Sequence, residues 1–155
     1  MKTIVSLTLL LLSTISPLNV YIKGDDVYLQ VNSKITFDNN DSKLTYNTKN
    51  ELNAIALQLI ERSKLKIEIE AHTDIDSRKD EALLLTQKRA NCIRDYLISR
   101  GVNPKNITAV GYGFEKPLVE YKDLLVSTPK ENEINRRIEI KLINTGELGK
   151  HTLVR

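Results

Sequence analysis

Four residues of this sequence could do chemistry together: His72, Thr73 and Asp74, adjacent in "EIEAHTD", and Arg89 in "TQKRA". A histidine beside a hydroxyl and a carboxylate has the parts of an acyl-transfer site: a base, a nucleophile and an orienting acid. The placement argues against it. Neighbours on a strand point to opposite faces, so His72 and Thr73 cannot easily pair. The other histidine is His151 and the single cysteine is Cys92, and the chain carries no Gly-x-Ser-x-Gly elbow. A zinc centre wants three or four ligands, and one histidine with scattered carboxylates lacks ligand spacing, so neither a metal nor a cofactor is expected. "GYG" at 111–113 does not open a helix as a phosphate cradle would, and reads as a sharp strand exit. No catalytic residue is assigned. Asp74 and Arg89 remain, either as ordinary surface charges or as a clamp. A carboxylate that accepts from an ammonium and a guanidinium that grips a carboxylate would together suit a zwitterionic amino-acid group.

The elements that must hold these residues follow from periodicity. Residues 27–37, "VYLQVNSKITF", put Val27, Leu29, Val31, Ile35 and Phe37 on one face, as a half-buried strand or two pieces broken at Asn32 and Ser33. "DNNDS" at 38–42 reads as a loop. Thr48 and Glu51 have capping-box spacing, and Leu52, Ile55, Ala56, Leu59 and Ile60 follow as one helical stripe. "LKIEIEA" at 65–71 alternates as a strand that delivers His72. A long helix is expected over about 79–100, with Arg89 near its middle and Gly101 at the left-handed cap position. A third strand covers 106–113, a long connection with a helical turn covers 118–133, and 135–143 forms a last strand on Ile138, Ile140 and Leu142. Strands alternating with helices imply an α/β layer structure.

With 155 residues, 41% hydrophobic and 28% charged, the chain is sized for one globular domain and a short extra segment. Its 23 basic and 20 acidic residues are dispersed, which gives no support for nucleic-acid binding. One cysteine forbids an intrachain disulfide, and Cys92 reads as a small core hydrophobe. Residues 1–16, "MKTIVSLTLLLLSTIS", have the layout of a signal peptide, or of an N-terminal anchor if uncleaved, and the apolar run at 4–12 is short for a membrane span. No cysteine follows the run to take a lipid. Residues 17–26 read as a lead-in and 144–155 as a flexible tail.

Six stretches, in order and spacing, carry a resemblance: "ITFDNNDSKLT", "LNAIALQL", "IEIEAHTD", "LTQKRANCIRDYLISRGV", "ITAVGYGFEKPL" and "NEINRRIEIKL". They resemble the OmpA-like peptidoglycan-binding domain family over about residues 33–143. The resemblance implies an α/β (α+β) two-layer sandwich in β-α-β-α-β-β order, with a mixed sheet and helices on one face, over residues 27–143. It implies a non-enzymatic periplasmic or outer-membrane-associated wall anchor that binds the diaminopimelate of the peptidoglycan stem peptide. By position, Asp74 and Arg89 would hold that ligand, with Phe37, Asp38 and Thr73 lining the pocket. His72, Ala82, Thr86, Asn135, Arg136 and Arg137 would support it. Other envelope proteins are further partners, and contact with membrane would run only through the N-terminal segment. Three positions and one loop depart from the family pattern: Ala71 replaces a glycine, Ala82 an asparagine and Thr86 a serine, and the loop "IDSRKDE" has no glycine. Those departures keep open an alternative, a degenerate domain that serves as a protein–protein interaction module.

Overall fold

Residues 19–23, 26–31, 37, 43–75, 78–121 and 127–143 are described by the structure, a computed structural model. The expected leader at 1–16, the second half of the first strand, the loop at 38–42 with Asp38, and the tail lie outside them.

The chain forms, in order, β1 (Asn19–Lys23), β2 (Asp26–Val31), α1 (Tyr46–Glu61), β3 (Lys66–His72), α2 (Lys79–Ser99), a 3-10 turn (Pro104–Asn106), β4 (Ile107–Gly113), α3 (Pro129–Asn135) and β5 (Ile138–Ile143). The five strands make one sheet ordered β1-β2-β5-β3-β4. β3 and β4 pair in parallel around the α2 crossover, and every other pair is antiparallel, so the sheet is mixed. The expected lead-in supplies an extra strand, since β1 forms an antiparallel pair with β2. The last strand is shorter than the sequence implied, because Asn135 closes α3. That helix has its own reciprocal cap: the Glu131 N–H donates to the Thr128 hydroxyl at 3.2 Å, and the Thr128 N–H donates to Glu131 Oε2 at 2.8 Å.

Both periodicities meet in one core. Leu52, Ile55 and Leu59 from α1 and Ala90, Ile93 and Leu97 from α2 pack on Ile67, Ile69 and Ala71 of β3 and Ile138, Ile140 and Leu142 of β5. Ile60 points outward, and Cys92 packs half-buried against the core. Gly101 has φ of +101°, as the left-handed end of α2 requires. No helix among the described residues is long and apolar enough to cross a membrane.

The start of α1 differs from expectation. Thr45 is the cap, its hydroxyl accepting from the Thr48 N–H at 3.3 Å, and Thr48 is buried behind it. Glu51 is therefore not part of a capping box, and its Oε2 is buried without a hydrogen-bond partner. Burial raises the Glu51 carboxyl above its ordinary value. The folded chain thus holds that proton more tightly than the unfolded chain, and the stability it contributes is lost as pH rises from the ordinary carboxylate value through the raised one. Glu51→Gln is expected to raise the Tm slightly at neutral pH, with the gain vanishing in acid, measured by thermal unfolding at both pH values.

β4 lies at the edge of the sheet, and α2 covers it. The Gln87 side-chain amide donates to the Ala109 carbonyl at 3.0 Å and accepts from the Gly111 N–H at 3.0 Å. It serves the edge strand as one added peptide unit would. One residue earlier, the Thr86 hydroxyl donates to the Ala82 carbonyl at 2.8 Å and accepts from the Gly113 N–H at 2.9 Å. Thr86→Val keeps the shape and strands the buried Gly113 N–H, at a cost of about 1–3 kcal/mol. Urea unfolding should show that loss, and Thr86→Ser should restore most of it.

Candidate functional site

The site is built at the carboxyl end of β3. The His72 N–H donates to the Arg137 carbonyl at 2.9 Å on one side, and the Thr73 N–H donates to the Gly113 carbonyl at 2.8 Å on the other. The strand end is thereby held between β5 and β4, and Asp74 leaves it from a fixed position. Asp74 is only 6% exposed. Its Oδ2 accepts from Arg136 Nη1 at 2.9 Å, while the Thr73 hydroxyl reaches Oδ1 at 3.5 Å. The Arg136 side chain is about half exposed, so the pair sits at a surface.

Arg89 comes to the same place from the middle of α2. Its guanidinium lies over the Phe37 ring, 4.8 Å from the centroid. Burial lowers the Arg89 pKa from its ordinary value, the Asp74 charge raises it, and Arg136 lowers it further. Phe37 is buried and bridges to Leu44, which fixes the ring. Asp74 therefore shares one locus with two guanidiniums, for a formal charge of +1.

The remaining expected residues divide. Asn135 is fully buried and braces the loop after β4: its Oδ1 accepts from the Leu118 and Val119 N–H groups at 2.8 and 3.0 Å, and its Nδ2 donates to the Val119 carbonyl at 2.9 Å. Arg137 turns away from Asp74 and donates from Nε to Glu139 Oε1 at 2.7 Å and from Nη2 to the Lys116 carbonyl at 3.1 Å. Ala82 lies fully buried, its Cβ 3.4 Å from where a Cβ on Gly113 would stand, so it packs α2 on β4 and presents nothing to solvent. Thr86 has the joining role described above.

His72, expected to support the pocket, turns its ring away from the Asp74 locus. The ring stacks on Tyr112 at 5.5 Å, and both nitrogens are buried without hydrogen-bond partners. It belongs to the sheet face opposite the core, with Glu70, Glu139 and Tyr112. Lys79 and Arg78, the cations beyond the HTD loop, form ion pairs with Glu115 at 2.6 Å and Glu81 at 3.8 Å.

Sequence reasoning missed two things. One is the direct grip of Arg136 on Asp74, across 62 residues of sequence, for which spacing offers no signal. The other is the burial of Glu70 and Glu139 on the second sheet face. Alternation alone assigns such carboxylates to water.

The five-stranded mixed sheet thus carries two helices on one face and delivers Asp74 from the end of β3, one strand in from the edge. The sequence profile of the OmpA family matches residues 36–132, and the chain belongs to that family. Among curated relatives, it is 30% identical over 119 residues to the probable lipoprotein YiaD of Escherichia coli (strain K12), covering 77% of this chain and 52% of the relative. It is 37% identical over 90 residues to the peptidoglycan-associated lipoprotein of Buchnera aphidicola, covering 58% of this chain and 52% of the relative. The chain thus spans about half the length of these relatives. Among solved structures, the peptidoglycan-associated lipoprotein from Burkholderia pseudomallei superposes with a TM-score of 0.61 at 27% identity, over 70% of this chain and 88% of that one. A putative MotB like protein from Desulfovibrio vulgaris shares the fold, with a TM-score of 0.74 at 19% identity over 91% and 89% of the two chains.

Proposed function

We propose that this protein binds peptidoglycan non-covalently through the diaminopimelate of the stem peptide, as an exported protein of the periplasm or the periplasmic face of the outer membrane. The observation that carries the reading is the nearly buried Asp74 carboxylate with the Arg136 and Arg89 guanidiniums around it. The free amino-acid end of diaminopimelate is a zwitterion. Its ammonium takes the place of Arg136 at Asp74 Oδ2, and its carboxylate meets Arg89, joined by the released Arg136, through paired N–H···O bonds. Phe37 anchors Arg89, and the resemblance assigns Asp38 to the same rim. Membership of the OmpA family supports the reading, as do relatives that are themselves named peptidoglycan-associated lipoproteins. The residues around Asp74 supply charge and no nucleophile–base pair, which suits holding better than cutting.

The test is co-sedimentation of the protein with purified sacculi, with calorimetric titration of two stem tripeptides, one ending in diaminopimelate and one in lysine. Saturable binding of the first and at least about tenfold weaker binding of the second is expected, since the lysine form lacks the second carboxylate. Equal affinity for the two would sink the diaminopimelate assignment. No binding to sacculi by a folded protein would sink the wall-binding reading and leave the protein–protein module.

A further inference from the structure

On the sheet face away from the helices, Glu70 and Glu139 stand directly opposite each other in the β3–β5 register. Both are buried, at 4% and 3% exposure. Like charges paired across strands destabilise a sheet, and buried carboxylates need a compensating cation. Arg137 supplies one, but it is directed mainly at Glu139 Oε1, at 2.7 Å, and lies 3.3 Å from Oε2. His72 fills the space between the carboxylates. Its Nε2 is 3.5 Å from Glu139 Oε2 and 3.6 Å from Glu70 Oε2.

Those separations are too long for good hydrogen bonds, and neither ring nitrogen has a hydrogen-bond partner. They do match the edges of a coordination tetrahedron. Ligands bonded to one zinc ion at about 2.0–2.1 Å lie about 3.3–3.4 Å apart. One ligand atom from each of the three residues falls within 4.8 Å of the others. A buried imidazole without a hydrogen bond, set between two carboxylates, supplies donor atoms of the types that zinc takes.

We propose that Glu70, His72 and Glu139 form a divalent-metal site, with Zn2+ as the matched ion, that pins β3 to β5 two residues before Asp74. Imidazole with carboxylates suits zinc, and Glu139 would be shared between the ion and Arg137, which donates to both of its oxygens at 2.7 and 3.3 Å. Lys116, whose ammonium lies 3.5 Å from the centre of the Tyr112 ring, adds positive charge near Glu70, and Lys141 lies over Tyr28. The fourth position is left for water. The sequence could not show this site, because Glu139 reaches the other two ligands only through sheet register.

Calorimetric titration of the metal-stripped full chain with Zn2+ tests the proposal. The wild type should bind one equivalent, with a rise in Tm by mass action. His151→Ala should bind equally, which removes the tail histidine from consideration. Glu70→Gln and His72→Asn should each bind at least about tenfold more weakly. Zn2+ should also shift the His72 Nε2 resonance. If His72→Asn fails to fold, the near-isosteric Glu70→Gln decides. Absence of binding by the wild type overturns the site, as does affinity unchanged in the folded ligand variants, or a His72 resonance that ignores zinc. Sacculus binding measured in parallel reads the Asp74 site separately, so either proposal can fail without the other.

Discussion

Gly111→Ala is expected to destabilise the protein severely, by more than about 3 kcal/mol out of the 5–15 kcal/mol that holds a typical domain folded. A Cβ at this position would stand 2.2 Å from the Gln87 backbone nitrogen and 2.6 Å from both Gln87 Cα and Thr86 C. These are atoms of the α2 backbone and cannot rotate aside as a side chain would. The helix must lift from β4, and the lift would break the two Gln87 bonds to the edge strand and the Thr86 bond to Gly113 together. Arg89 lies two residues beyond Gln87 on the same helix, so ligand binding should fall with stability. Urea unfolding provides the check. A midpoint close to wild type would mean that the helix does not approach the strand this closely.

Asp74→Asn and Arg89→Ala are the complementary pair, large in binding and small in stability. Removing one partner of a desolvated charge pair across an interface costs about 2–5 kcal/mol, or roughly 30-fold to several thousandfold in affinity. Asparagine at 74 keeps the shape and loses the charge that an ammonium needs. In the free protein it releases the half-exposed Arg136 to solvent, a change worth little to the fold. Alanine at 89 removes the guanidinium over Phe37 and with it the grip on the ligand carboxylate. Sacculus co-sedimentation should disappear in both variants while circular dichroism and Tm stay near wild type. Retained sedimentation in both would remove these residues from the site.

The fold was legible wherever one face of an element met the core. Leu52, Ile55 and Leu59 announced α1, and Ile138, Ile140 and Leu142 announced β5, because burial imposes periods of 3.6 and 2. Legibility stopped where a choice was local and nearly degenerate. Thr45 and Thr48 could both cap α1, and Thr45 took the role while Thr48 packed inward. It also stopped at long-range polar pairing. Asp74 and Arg89 were picked out by residue type and by family resemblance, yet nothing in their spacing indicated that Arg136 meets Asp74. The same holds for Glu70 and Glu139: alternation gives the face, and only the assembled sheet says whether that face is wet.

The sheet order places β5, the last strand in sequence, between β2 and β3. Before β5 is in place the chain has two unjoined halves, the β1–β2 hairpin and the β3–α2–β4 unit, each with an open edge. Closing them requires pairing over more than a hundred residues, from Val27 to Leu142, which makes folding slow and concerted. A chain still emerging from the ribosome, or threading through a translocation channel, therefore cannot complete its sheet early. The topology itself delays folding until residues 138–143 arrive, and the position of Arg136 beside Asp74 is set in the same final step.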